Sequence, residues 1–573
     1  MLARGALVVA CLLTVWGLVI VSSGGVHWQV AGLRISSTDP TRPFLLATLA
    51  VVFYAWLESQ RANAARIDFG GAKWLSRSFV PAIAILVLCA GLRWGAYIAG
   101  GSDSYGYLSQ AQLWRSRTLS IEQPWVQKMP WPDAEWTFAP VGYRPGPVRY
   151  TIVPTYPPGL PAMFALLTTV FGGAGVRLLV PLLAASGIWI TFLLGRDATE
   201  SDLAGAIAAA VLAASPVFLF MSMYPMSDVP VTTVFAVACW VGFVRPVNRP
   251  LLAGLACGMA LLIRPNLMLL AAVPPLAWAR QGLRNRRVFL SRFCWYGAGL
   301  APAILALAVL NTHLYGAPWR SGYGDVHPLF SIANIVPNAR NFSSWLVDTQ
   351  TVLFPLSVVA LALPAALTTR KDVEPMIRTG FTAAIVLTVA SYLFYVPLDA
   401  WWDLRFLLPV FPIVCVLAAA AVLYVCRAIP SPRVYLAIGV LCAALVVIGP
   451  KVAIDRGAFD LRRFEQRYVD AAKQVDLLTP PNAIVLSQQH SGSVRYYAHR
   501  ITLRYNFLSQ EWVDRAVQFL NEHGYSTYAL LEDWEERDFR AQFKNTVTAR
   551  QLDSPPVAII AGSNSVRLYK LTR

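Results

Sequence analysis

The strongest constraint on this chain is a recurrence of apolar runs near ~20 residues, the length a helix needs to cross a hydrocarbon core of ~30 Å. Such runs return from the N-terminus to about residue 450. Hydrophobic residues fill 56% of the positions and charged residues only 14%, which leaves too little polar surface to cover a water-soluble globule of this size. In hydrocarbon each backbone N–H and C=O must be satisfied within its own segment, so the runs are read as helices. The expected fold class is an all-α polytopic membrane domain.

A net charge of +17 suggests nucleic acid at first sight. In a membrane chain the same excess has another cause, because Lys and Arg collect in cytoplasmic loops and set topology. Nucleic acid is therefore not among the expected partners; membrane lipids are. The stretches Arg61–Arg77, Arg280–Arg292, Arg370–Arg378 and Arg427–Arg433 read as cytoplasmic. The spans consistent with them are about 6–22, 42–57, 79–98, 176–195, 203–223, 229–244, 250–263, 266–279, 293–310, 351–367, 379–397, 405–426 and 434–450. That makes about thirteen helices, with the N-terminus cytoplasmic and the C-terminus outside. The first run, Ala6 to Val21, reads as an uncleaved helix rather than a signal peptide, since Val21-Ser22-Ser23-Gly24 is a poor small-x-small cleavage site. Pro158 to Gly173 is apolar but short, and is expected to be interfacial or re-entrant. The alternative is that it crosses while 250–263 or 266–279 does not. Gly254 and Gly258 form a small-xxx-small pattern suited to close helix packing.

Three pieces are expected outside: a loop at about 99–157 rich in Trp, Tyr and Pro, a second at about 311–350, and a tail, 451–573. The tail alternates helix-like stretches (Phe464–Leu478, Glu511–His523, Glu535–Lys544) with strand-like ones (Ala483–Leu486, Thr527–Leu531, Val557–Ile560, Val566–Leu571). That pattern predicts a small α/β domain following a membrane domain at 1–450. The turn Gln488–Ser493 reads as an ordinary polar loop. All eight cysteines lie in apolar segments without metal-ligand spacing, so they carry no chemistry.

Chemistry concentrates where polar residues interrupt helix ends on the outer side. Ala99-Gly100-Gly101-Ser102-Asp103-Ser104-Tyr105-Gly106-Tyr107 puts a carboxylate just beyond a span, within reach of both lipid headgroups and water. A positioned Asp can deprotonate an acceptor hydroxyl, or it can merely cap the following helix. Downstream come Tyr156-Pro157-Pro158-Gly159, then Ser227-Asp228-Val229-Pro230, Arg264-Pro265-Asn266 and Trp402-Asp403-Leu404-Arg405-Phe406. In the expected topology all sit on the same outer face. Ionisable groups near membrane depth are costly and usually face a cavity or a partner. Snorkelling accounts equally well for Arg264 or Arg405 taken singly.

That ordered set resembles the GT-C superfamily of membrane glycosyltransferases, and within it the protein-mannosyltransferase-like and aminoarabinose-transferase-like branch. The resemblance covers roughly 80–430. It implies a glycosyltransferase that moves a hexose or pentose, with inversion, from a polyprenyl-phosphate-linked donor to a glycan, lipid or protein acceptor on the extracytoplasmic face of a bacterial inner membrane. Carried over by position, Asp103 is the catalytic acid of the first loop, Asp228 a second cavity acid, Tyr156 the residue before the Pro-Pro pair and Arg405 the late-helix arginine. Ser104 stands where many relatives have Glu, and Tyr156 where many have His or Lys. Arg144, Arg149, Arg264 and Arg405 are the candidate cations for the donor phosphate, with Tyr105 a further substrate-binding candidate. Trp125, Trp131, Trp136, Tyr143 and Tyr150 are expected mostly as an interfacial aromatic belt. The residues fix no cofactor, and metal use stays open: two external acids could hold a divalent cation only if they converge. The competing functions are a lipid or polysaccharide flippase or transporter, and an oligosaccharide ligase using a diphosphate donor.

Overall fold

The computed structural model describes residues 78–573 except positions 246, 283–284, 351–356, 364–365, 430–431, 563 and 573; before residue 78 it describes scattered positions and one hairpin. The expected span 6–22 is described in part, helical at each described position, whereas 42–57 lies largely and the basic stretch Arg61–Arg77 wholly outside the described residues. The hairpin pairs β1 (Val26–Val30) antiparallel with β2 (Leu33–Ser37), Trp28 opposite Ile35.

A bundle of helices follows. Among the described residues, four are long and apolar enough to cross a membrane: Ala174–Thr199, Arg286–Tyr315, Glu374–Leu393 and Trp401–Ala428. A fifth forms if Asp202–Ala214 and Pro216–Ser222, bent by 67° at Ser215, count as one span. The bend has a local cause, because Ser215 leaves helical geometry and caps the second segment, which Pro216 opens. The chain is thus a multi-pass membrane protein. Several expected spans are shorter helices: Val80–Trp94 has 15 residues, Asp228–Cys239 has 12 and Pro250–Ile263 has 14. Gly159–Phe171 is likewise a 13-residue helix. The expected span at 266–279 is a 3-10 stretch, Pro265–Ala272, running into the helix Val273–Gly282.

Sequence accounts for the order of burial. Trp401–Ala428 is apolar on every side, and its most apolar stretch is entirely buried at the centre of the bundle. The Ala-rich Asp202–Ala214 helix packs against it, its small side chains letting the backbones close up. Pro250–Ile263 lies on Arg286–Tyr315 through the expected small residues. A Cβ on Gly254 would meet the Tyr296 carbonyl, and one on Gly258 would meet Ala303.

Outside the bundle, the first loop forms a three-stranded antiparallel sheet, with β5 (Thr151–Pro154) between β3 (Ile121–Glu122) and β4 (Tyr143–Pro145). The tail carries a mixed five-stranded sheet of order β7-β6-β8-β10-β9. Its strands are β6 (Ala483–Leu486), β7 (Ile501–Leu503), β8 (Ser526–Glu532), β9 (Ala558–Ile560) and β10 (Val566–Leu571). Strand β6 runs parallel to both neighbours, whereas β10 is antiparallel to β8 and β9. The helix Pro432–Asp455 continues past residue 450 before the tail helix Leu461–Leu478 begins.

First loop and tail share a hydrophobic core. Trp131, 3% exposed, packs with Phe138 and Phe519, and Trp136 lies against Phe507. Trp125 packs on Phe138, and Tyr143 on Tyr105. These aromatics are core contacts of the loop–tail junction rather than an interfacial belt, because the tail supplies apolar partners that bury them. The turn Gln488–Ser493 is also part of the junction. Ser491 Oγ accepts from the Val141 N–H, and Gly492 lies flat against the Tyr105 ring.

Candidate active site

Four loops from separate parts of the chain meet at one end of the bundle. The first leaves Val80–Trp94, turns at Gly101 in left-handed geometry (φ +55°), and enters the helix Asp103–Arg115 with Asp103 as its first residue. Asp103 follows the cap position, Ser102, whose side chain makes no hydrogen bond to the helix. Asp103 Oδ1 accepts a 2.5 Å hydrogen bond from Tyr156, whose hydroxyl also lies 2.7 Å from Ser102 Oγ. Glycine at position 106 makes this approach possible, since a Cβ there would sit 2.2 Å from the Tyr156 ring.

The Pro157-Pro158 pair then opens Gly159–Phe171. Gly159 packs directly on the Leu262–Ile263 backbone, so the Tyr156 segment and Arg264 are neighbours. Arg264 ends the Pro250–Ile263 helix, where Pro265 follows. Its guanidinium donates to Asp228 Oδ1 at 2.6 Å; Asp228 is buried and Arg264 is 12% exposed. Asp228 opens its helix after Ser227, whose side chain makes no cap hydrogen bond. Its second oxygen, Oδ2, is buried with no hydrogen-bond partner among the described residues.

Arg405 sits in the turn Trp401–Val410 at the head of the central helix. It lies 3.6 Å from Asp103 Oδ2 and 3.8 Å from Asp403 Oδ1, ion-pair distances without hydrogen-bond contact. Its Nε is buried and makes no hydrogen bond among the described residues. Both Arg264 and Arg405 lie over the Phe406 ring, at 5.4 and 5.2 Å from its centroid. Tyr392 stacks on that ring at 4.9 Å.

These groups enclose a cavity of about 780 Å³. Asp103, Tyr156, Arg264 and Arg405 are among its polar lining residues, as are Tyr107, Ser227 and Tyr323. Leu269, Leu329, Phe330, Ile332 and Phe394 line the apolar remainder. Asp228 stands behind Arg264. Three residues anticipated at the site lie elsewhere. Arg144 donates to the Ser321 and Gly322 carbonyls and stacks over Trp136. Arg149 is exposed, and Tyr105 is buried against Tyr143 and Gly492. None of the three lines this cavity. Conversely, Tyr392, Tyr395 and Asn266 do line it. Their only sequence signal is polar atoms at the outer ends of apolar runs. Among the described residues no group of three or more His, Cys, Asp or Glu side chains is arranged to hold a metal ion.

No family model and no curated protein matches the sequence. Among solved structures the chain is similar to ArnT from Cupriavidus metallidurans bound to undecaprenyl phosphate, with 14% identity, a TM-score of 0.53, and coverage of 86% of this chain and 97% of that one. The apo state of the same protein matches at 14% identity and a TM-score of 0.52, with the same coverage. Arabinosyltransferase EmbB from Mycobacterium smegmatis aligns at 16% identity over 70% of this chain and 35% of its own, with a TM-score of 0.35, too low to define a common architecture. The likeness to ArnT bears out the fold that the GT-C resemblance implied.

Proposed function

We propose that the protein is an extracytoplasmic-face glycosyltransferase using a polyprenyl-phosphate-linked sugar. The observation that carries this reading is the cavity itself, in which an acid, a partly unsatisfied arginine and an apolar wall stand together. An ArnT structure of the same fold was solved with undecaprenyl phosphate, a ligand of that chemistry.

In this reading the isoprenoid tail lies along the apolar wall and the phosphodiester faces Arg405, with Arg264 adding positive charge behind it. Asp103 takes the proton from the acceptor hydroxyl as that oxygen attacks the anomeric carbon. The bond from that carbon to the phosphate oxygen breaks, and the electron pair leaves with polyprenyl phosphate. Attack from the face opposite the phosphate inverts the anomeric centre. Tyr156, donating to Asp103, orients the carboxylate so that its other oxygen meets the acceptor. Sugar and acceptor would be chosen by side chains around Tyr323 and Tyr395. A divalent cation would enter by engaging Asp103 in place of Arg405; the proposed steps do not call on one.

The sidedness proposed is N-terminus in, cavity and tail out. Supporting it, Arg249 and Arg287 lie toward the Pro250 end of the Pro250–Ile263 helix while Arg264 is at its other end, so the cavity and the basic loops are separated by the length of that helix.

The test reconstitutes the protein in vesicles and offers sugars on mono- and diphosphate lipids. Transfer from the monophosphate donor is expected. Transfer from the diphosphate donor alone would make it a ligase, and ion-driven sugar uptake without transfer would make it a transporter.

A further inference from the structure

We propose that Tyr468, in the extracytoplasmic tail, is a positioning residue that fixes Asp103 for reaction, so that the tail completes the catalytic site. The inference rests on the assignment of Asp103 as base.

The loop that delivers Asp103 is held from outside the membrane. Ala99 N–H donates to the Tyr497 hydroxyl at 2.8 Å. Gly100 lies flat against the ring of Tyr468, and a Cβ at that position would come within 2.3 Å of the ring. Gly101 follows in left-handed geometry beneath the Tyr468 hydroxyl. The contact is thus a ring pressed on two consecutive glycines that lead directly into Ser102 and the acid. Such a contact sets where the helix Asp103–Arg115 begins.

Tyr468 is itself immobilised. It is 2% exposed, and its hydroxyl accepts from Gln489 at 2.6 Å and from Arg467 at 3.0 Å. Arg467 is fixed by Glu532 at 2.8 Å, and Glu532 by the buried His490 at 3.1 Å. One turn away on the same helix, buried Glu465 accepts a 3.0 Å hydrogen bond from Tyr224, four residues before Asp228. One tail helix therefore grips both acid-bearing loops. These interlinked, largely buried polar groups make a rigid support, which is what a base needs to hold its geometry within a fraction of an ångström.

The test measures kcat, donor KM and polyprenyl phosphate affinity for Tyr468→Ala and Tyr468→Phe, with Tm recorded in detergent. Tyr468→Ala is expected to lose at least tenfold in kcat, with donor KM and lipid affinity within twofold of wild type. Tyr468→Phe keeps the ring and is expected to recover most of the rate. An unchanged kcat in Tyr468→Ala, or parallel losses of kcat and lipid affinity, would overturn the proposal. If Tyr468→Ala does not fold, Gly100→Ala replaces it, with the same split expected and an unchanged kcat counting against. Absence of transfer by the wild-type protein would instead defeat the glycosyltransferase assignment, before any variant is compared.

Discussion

Arg405 is the residue whose surroundings leave it most open to a ligand. Arg264 is committed to Asp228 at hydrogen-bond distance, whereas Arg405 stands between two carboxylates without bonding either. A guanidinium presents two parallel N–H groups to a phosphate, and Lys presents a single point charge. Arg405→Lys is therefore expected to weaken binding of polyprenyl phosphate about tenfold, or ~1.4 kcal/mol, with little change in Tm, as read by titration of the lipid onto purified protein. Asp103, Asp228, Arg264 and Arg405 were legible in the sequence because each interrupts the end of an apolar run, where a charge needs a reason. Arg144 and Arg149 carry the same guanidinium and Tyr105 a hydrogen-bonding hydroxyl, but nothing in a residue's type tells which way a loop turns it. Tyr392 escaped because an aromatic in a membrane span looks like core.

Among the elements, Pro250–Ile263 is the clearest case of sequence dictating packing. Gly254 and Gly258 place backbone against backbone on Arg286–Tyr315, and a Cβ at Gly254 would come 2.1 Å from the Tyr296 oxygen. Gly254→Val must push the helices apart and is expected to cost about 1–3 kcal/mol. Because Arg264 ends that helix, activity should fall with stability. Gly297, on the partner helix, has no atom within 4 Å of its would-be Cβ, so Gly297→Ala is the control and should leave Tm unchanged or raised. Thermal unfolding in detergent reads both. Element boundaries were less legible than element existence. The break at Ser215-Pro216 lies inside a run that hydropathy alone reads as one span, because capping and proline act locally while hydropathy averages over a window.

For the whole molecule, the tail is joined to the first loop by a common core and to the acid-bearing loops by buried polar contacts. Its strands were readable from alternation, β7 excepted. Its docking was not, since the aromatic residues of the first loop have the composition of a membrane belt and only the fold shows what covers them. The junction carries a titrating group. Burial pushes the Glu535 carboxyl up to about 7, despite hydrogen bonds from the Gln488 and Gln489 N–H groups, with the nearby Glu532 charge adding to the rise. Burial also acts to raise Glu532, but His490 and Arg467 outweigh it and hold that group at about 2. A carboxyl raised in the fold binds more protons than its unfolded counterpart, whose value is ~4.3, so its contribution falls as pH rises from there to about 7. Glu535→Gln keeps an acceptor and removes the titration. Its Tm advantage over wild type is expected to grow across that window and to level off above it.

The account depends most on Asp103 acting as the base beside a bound lipid phosphate. The decisive measurement is sugar transfer by Asp103→Asn together with its affinity for polyprenyl phosphate. The account predicts transfer reduced by at least a thousandfold while the folded variant still binds the lipid within a few-fold of wild type. Transfer at an undiminished rate by that variant would contradict it.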